Sequence, residues 1–266
     1  MDNSQEYITN LVLNSLDTNS INISYSPINH LILDKSLKND IDKSWASICR
    51  QAKANGRKCF DSAGYSLDSY NYKNGLLTLN LSDTTYKQYI TTFKNFELLK
   101  KYPHSHFPKL LSLFGLLITS DNYLIIGENS NLTRSANQLS LPGGTVQITK
   151  KLNSSYLFNE FKREVSEEIG MPIKLIKNTR LIAIATKANT NNTPRLVFLA
   201  QTSLDCKTLK NNFNHADKEF SNLVFIKNNP KGLQSIKKDI RSNWTLKLIS
   251  QLLESNKINL EFTKQT

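Results

Sequence analysis

"NEFKREVSEEIGM", residues 159–171, is the stretch from which the rest of the chain is best read. At about 100° per residue, Phe158, Phe161, Val165 and Ile169 fall on one stripe of a helix that Gly170 would end, and Glu164, Glu167 and Glu168 cluster beside that stripe. Like charges three and four residues apart cost an isolated helix about 0.2–0.5 kcal/mol per pair, so three glutamates on one face call for solvent or a counter-ion. A hard divalent cation answers that need. Mg²⁺ accepts a few carboxylates, keeps waters and completes its shell with phosphate oxygens. It withdraws charge from a phosphoryl group and activates water. On charge pattern alone, a solvated acidic face explains the cluster as well.

The acidity is local, because Lys and Arg exceed Asp and Glu by 34 to 22, a net charge of +12. Such a balance attracts polyanions, whether nucleotides, nucleic acid or an acidic membrane surface, unless it is simply a solvated basic exterior. A hydrophobic fraction of 39% with 12 Phe and 10 Tyr supports a globular, soluble fold. No run approaches the roughly 18–20 apolar residues of a membrane span, and "MDNSQEYITN" lacks the regions of a secretory signal, so a cytoplasmic location without a membrane partner is expected. Cys49, Cys59 and Cys206 are odd in number, far apart and outside any CxxC, which predicts reduced, structural thiols.

"SINISYSPINHLILD" (20–34) reads as extended, and Ile41, Trp45, Ile48 and Ala52 mark a helix closed by Asn55-Gly56. Strands follow around "KCFDSAGYSL" and "LLTLNLS", the second after the turn Asn74-Gly75, and then a helix carrying Tyr86, Tyr89, Ile90 and Phe93. "HSHFP" (104–108) punctuates the chain; His104 and His106 could ligate a metal but fit a linker better, and His30 carries no usable signal. "LSLFGLLITSDNYLIIGEN" is a hairpin for a buried sheet, and "RLIAIATKA", "PRLVFLAQTSL" and "NLVFI" supply further strands. "SIKKDIRSNWTLKLISQLLESN", with Ile236, Ile240, Trp244 and Leu248 at helical spacing, predicts a last helix. These elements give an α+β chain: residues 1–104 as a small α+β unit and 105–266 as a mixed sheet with helices on its faces.

Gly143-Gly144 followed by Arg163-Glu164-Val165-Ser166-Glu167-Glu168-Ile169-Gly170-Met171 closely resembles the signature of the Nudix hydrolases, and the resemblance extends over about residues 107–256. It implies an α/β/α sandwich and Mg²⁺, with Mn²⁺ as a substitute, held by Glu164, Glu167, Glu168 and the Gly143 carbonyl. Arg163 would steady the glutamates, and Gly144 would let phosphate approach the backbone. The chain departs from the pattern in placing 18 residues, 145–162, between the glycines and Arg163, with no glutamate at the pattern's first acidic position. Glu160 either extends the acidic face or is an exposed helix residue. The family often takes a further carboxylate from a late loop as ligand or base, and in "HADKEFSNLVFI" Glu219 is the first choice, ahead of Asp217, with His215 nearby as ordinary surface.

The N-terminal region and lengthened loop resemble the branch containing UDP-glucose/UDP-galactose diphosphatase, whose Tyr-x-x-aromatic-x-x-Thr stretch is echoed by Tyr86, Tyr89 and Thr92. Phe93 and "GEN" (127–129) differ from that branch. The resemblance implies a small-molecule nucleotide-sugar substrate cleaved to UMP and sugar 1-phosphate, with Tyr86 and Tyr89 on the substrate side or, alternatively, in a core. ADP-ribose, a dinucleotide or an mRNA cap would suit the same chemistry, and binding without cleavage is the non-enzymatic alternative. No GxSxG, P-loop, GxGxxG, HExxH or RNP1 motif is present.

Overall fold

The structure, a computed structural model, describes residues 7–27, 35–56, 58–93, 95–103, 107–133, 135–187, 193–213, 218–239, 241–242, 246–247 and 253. Its largest element is a seven-stranded mixed sheet. The central pair is β5 (Ser112–Ile118) and β9 (Pro194–Thr202), which run parallel from Ser112↔Arg195 to Ile118↔Gln201. Beyond β9 lie antiparallel β8 (Ile176–Lys187) and then β1 (Tyr7–Leu16). On the other side come β6 (Tyr123–Asn129), short β7 (Leu139–Ser140) and β10 (Phe220–Lys227). The expected hairpin is β5–β6. Asn122 takes a positive φ of 64° in its turn, and Thr119 closes it through hydrogen bonds with Tyr123.

A second sheet of β2 (Ile21–Tyr25), β4 (Leu76–Thr85) and β3 (Ala63–Lys73) lies in the N-terminal part. Asn74 and Gly75 sit at φ 53° and 80°, the backbone a tight two-residue hairpin requires. Helix α1 (Lys35–Ala54) ends where Asn55-Gly56 predicts. α2 (Tyr86–Thr92) opens on a capping box between Thr85 and Gln88, and α3 (Phe96–Lys101) follows. The two sheets are joined along residues 109–111, where the Leu67 amide donates to the Lys109 carbonyl and the Leu111 amide to the Tyr65 carbonyl. β1 belongs to the large sheet although it precedes residue 104.

Helices cover both faces of the large sheet. α4 (Ser154–Ile169) buries Phe158, Phe161, Val165 and Ile169, the stripe read from the sequence, together with Leu157, against Leu113, Leu117 and Phe198. Phe161 stacks on Phe198 at 4.7 Å, and Gly115 makes room for it, since a Cβ there would meet the ring at 2.4 Å. α6 (Pro230–Lys238) seats Leu233 and Ile236 on the opposite face beside Leu116, Ile126 and Val197. The short helix α5 (Cys206–Asn212) leads toward β10. No described helix is long and apolar enough to cross a membrane.

Two expectations are corrected. The sequence predicts one helix from Ser235 onward, but α6 starts at Pro230, capped by Asn229, and ends at Lys238, and the chain is helical again at Leu246, Lys247 and Leu253, so the run is interrupted around 239–242. At Asp239 the backbone turns to ψ 120°, and its carboxylate takes the amide and guanidinium of Arg241 instead of continuing the helix. Ile240, Trp244 and Leu248 lie outside the described residues. The cysteines are not all reduced either: Cys49 and Cys59 form a disulfide with Cα atoms 5.4 Å apart, and Cys206 is free. The bridge ties the end of α1 to the segment entering β3, a closed loop worth about 2–3 kcal/mol on a chain-entropy estimate.

Candidate functional site

α4 is positioned at both ends by its own sequence. Asn153 accepts the Tyr156 amide at 2.8 Å, and Gly170 takes the left-handed conformation (φ 74°), its amide donating to the Ser166 carbonyl. Ser166 also donates its hydroxyl to the Met171 carbonyl at 2.6 Å, fixing the chain as it leaves the helix. The acidic face of α4 is thereby pressed toward residues 142–146, which run along β5: the Gly115 amide donates to the Pro142 carbonyl and the Leu113 amide to the Gly144 carbonyl.

Both glycines of that segment are required by close approach. Gly143 has φ 140°, and a Cβ would lie 2.0 Å from the Leu113 carbonyl oxygen. At Gly144 a Cβ would lie 2.5 Å from Glu164 Oε2, so the bare backbone is what lets this carboxylate rest there. Glu168 accepts the Gly143 amide at 2.7 Å. The expected contact was the Gly143 carbonyl; the group seen at the cluster is its N–H, a donor.

The carboxylates fall into two groups. Arg163 pairs with Glu164 and Glu167 and makes a two-pronged contact with Glu160, Nε to Oε2 at 3.0 Å and Nη2 to Oε1 at 2.8 Å. These partners, Glu160 first, raise the Arg163 pKa. Glu168 is buried and lies against Glu219, with which it shares a hydrogen bond; Glu164 acts on it through its charge. Burial foremost, then these neighbouring charges, hold the Glu168 carboxyl well above its ordinary range, opposed by the Gly143 amide. Glu164, its side chain 17% exposed, is pushed up to about 7, chiefly by burial and against the pull of Arg163.

Glu219 is set by Phe220, whose ring lies over Gly127 of β6, and by the Ser130 amide, which donates to the Glu219 carbonyl at 2.8 Å. Glu168 thus feels the charges of both Glu219 and Glu164, while Glu167 is half-exposed on Arg163. His215 and Asp217 lie outside the described residues, as do His30, His104 and His106. Tyr86 and Tyr89 sit on α2: Tyr86 meets Trp45 edge-on, and Tyr89 packs on Phe93 at 5.0 Å.

Glu160 is buried, not exposed, and it is the residue that sequence reasoning weighed least well. It accepts the Gln147 amide at 3.4 Å and so anchors the lengthened loop to Arg163. Tyr65 secures the same loop, donating its hydroxyl to the Thr149 carbonyl and accepting the Thr149 amide. The Glu160–Arg163 spacing of three residues was the signal available in the sequence.

The donor set suits a hard cation in its chemistry: the carboxylates of Glu164 and Glu168, both held above their ordinary range chiefly by burial, next to a glycine cradle that a Cβ would fill. Among the described residues no three His, Cys, Asp or Glu side chains are gathered as the ligands of one ion. Arg163 is the cation on Glu164 and Glu167 as they stand, so an ion would take these two carboxylates over from it.

No family model matches the sequence, and no curated protein matches it. Among solved structures the chain is similar to DR0079 from Deinococcus radiodurans, with 19% identity over 53% of this chain and 81% of that one, at a TM-score of 0.40. It is also similar to a Nudix hydrolase from Nitrosomonas europaea, with 16% identity over 59% and 99% of the two chains and a TM-score of 0.36. A third is a bifunctional NMN adenylyltransferase/ADP ribose pyrophosphatase complexed with AMP and a Mn ion, from Francisella tularensis. That match has 15% identity over 60% and 45%, at a TM-score of 0.37.

Proposed function

We propose that this chain is a Nudix-type hydrolase that uses a divalent cation to cleave the diphosphate link of a nucleoside diphosphate sugar, UDP-glucose or UDP-galactose, giving UMP and sugar 1-phosphate. The observation that carries the reading is the contact of the Arg163–Gly170 motif with its glycine pair: Glu164 against Gly144, and Glu168 on the Gly143 amide. A helix face that meets bare backbone in this way offers a diphosphate both closely spaced acidic oxygens and a surface without side chains.

In this reading Glu164, Glu167 and Glu168 hold Mg²⁺, or Mn²⁺ in its place, and the ion supplies charge withdrawal from the phosphoryl oxygens. Arg163, clamped by Glu160, keeps the glutamates in register before the ion arrives. Glu219, the neighbour of Glu168, takes a proton from the attacking water. One water is consumed: its oxygen bonds to one phosphorus, the bond to the bridging oxygen breaks, and that oxygen leaves on the other phosphate. Residues 1–104 would supply the substrate side through Tyr86 and Tyr89, in a protein that works in the cytoplasm.

A panel of UDP-glucose, UDP-galactose, ADP-ribose, a dinucleotide and capped RNA, each incubated with Mg²⁺, tests this. UMP release from the UDP-sugars in preference to cleavage of the others is the expected result. Inertness toward every member would overturn the hydrolase reading in favour of binding alone.

A further inference from the structure

The loop of residues 145–153, between the glycine pair and α4, is held by side chains from both parts of the molecule. Tyr65 of β3 is buried, and its hydroxyl donates to the Thr149 carbonyl at 3.1 Å and accepts the Thr149 amide at 2.9 Å. Its main chain reaches the same loop through one intermediary: the Tyr65 carbonyl accepts the Leu111 amide, and the Leu111 carbonyl accepts the Val146 amide. Residues 146 and 149 are thus both staked from β3, with Gln147 between them. The Gln147 amide donates to Glu160 at 3.4 Å and its carbonyl accepts the Tyr156 hydroxyl at 3.1 Å, so both of its polar main-chain groups are engaged by α4.

A surface loop can satisfy its main chain with water, and Ile148 of this one is exposed. Three side chains nevertheless converge on Gln147 and Thr149, and the path of bonds ends at the Arg163 guanidinium. Glu160 receives three donors: Arg163 Nε on Oε2, and Arg163 Nη2 together with the Gln147 amide on Oε1. Two come from within the helix and turn with it. The Gln147 amide fixes the carboxylate against something outside the helix. At 3.4 Å that contact is long, so its worth lies in direction more than in strength, and it stays within reach only while Thr149 is pinned.

We propose that Tyr65 is a positioning residue for the acidic face of α4: by pinning Thr149 it keeps the Gln147 amide on Glu160, and Glu160 keeps Arg163 from following Glu164 and Glu167 when a divalent ion binds them. The inference rests on the hydrolase reading for the use of those carboxylates. Arg163 and the ion compete for the same oxygens, so a guanidinium held by two prongs on Glu160 releases them more readily than one free to swing. The N-terminal unit thereby acts on the site through β3, by a route separate from Tyr86 and Tyr89 on α2.

Tyr65→Phe keeps the ring and its edge contact with Tyr25 and deletes only the hydroxyl. Titration of Mn²⁺ followed by electron paramagnetic resonance, at a temperature where every variant is folded, should show half-saturation raised about tenfold, the low end of what losing an outer support of a metal ligand costs. With UDP-glucose, kcat should fall by a similar factor and KM change little. Tyr25→Phe is the control: its hydroxyl belongs to the same sheet but bonds Asp83 instead of the loop, and Mn²⁺ affinity should stay at the wild-type value. Tyr156→Phe, which frees the Gln147 carbonyl from the α4 side, is the second variant if Tyr65→Phe does not fold, and it should weaken Mn²⁺ binding as well. A Tyr65→Phe protein that melts earlier yet binds Mn²⁺ as the wild type does would overturn the proposal and leave the hydrolase reading standing, as would an equal loss in Tyr25→Phe. Weaker binding confined to Tyr65→Phe and Tyr156→Phe, in a protein inert toward the substrate panel, would sink the hydrolysis and keep the positioning role. A wild type that takes up no Mn²⁺ would overturn both.

Discussion

The two faces of the large sheet are built from alternate residues of the same strands, yet they tolerate different things. Toward α4, Leu113, Gly115, Leu117 and Phe198 form a dry contact in which the ring of Phe161 fills the space a glycine leaves. Toward α6, the same strands present Phe114, Leu116 and Val197, with the charged Arg195 at the margin. The first face fixes the height of α4 above the sheet and hence where its carboxylates meet Gly143 and Gly144. The second carries a charged residue at the end of β9, Arg195, whose guanidinium lies over the Phe114 ring.

The contrast can be broken most severely at the carboxylates. Glu168→Gln removes a carboxylate but keeps its shape and its acceptor oxygen for Gly143, so turnover should fall by about 10²–10⁴-fold with the melting temperature held or raised. Near-normal steady-state rates would take Glu168 out of the mechanism. Gly144→Ala comes next. Its methyl would displace the Glu164 carboxylate, and a shift near 1 Å costs about a hundredfold in rate, with only a small change in a denaturant midpoint.

On the sheet side of the same helix, Gly115→Ala should act on stability first. Overpacking against Phe161 costs about 1–3 kcal/mol by urea unfolding, with a smaller loss of rate as α4 shifts. A variant as stable as wild type would show that the α4 face is looser than its contacts imply. The smallest effect is on pH dependence. Folded Glu164 binds its proton more tightly than the unfolded chain does, so its contribution is complete below about pH 4.3 and is lost as pH rises through about 7. Without divalent ions the melting temperature should therefore decline across that window. Mg²⁺ should raise it more at pH 8 than at pH 6, because metal and proton compete for the same oxygens.

What could be read from the sequence was local. The α4 stripe and its closing glycine follow from helical period, and the hairpin at Asn74-Gly75 from turn chemistry. The Arg163–Gly170 order stood out because its residue types recur at fixed spacing. What was missed depends on contacts distant in sequence. Glu160 is buried because Gln147 folds back onto it, 13 residues away, which no helical wheel reveals. Cys49 and Cys59 lack a metal-like spacing, and they pair only because α1 ends beside the entry to β3. β1 joins the large sheet through pairing with β8, a partner more than 160 residues later in the chain. Arg195 reads as an ordinary strand residue until Phe114 and Tyr89 are placed around it.

The central claim is that the acidic face of α4 exchanges its contact with Arg163 for a divalent ion on which a diphosphate can be cleaved. Electron paramagnetic resonance counting of Mn²⁺ bound at pH 8, with UDP-glucose present, tests it most directly in the wild type and in Glu164→Gln/Glu168→Gln. Saturable binding by the wild type that the double variant loses is the predicted result. Equal Mn²⁺ occupancy in both proteins, or none in either, would contradict it.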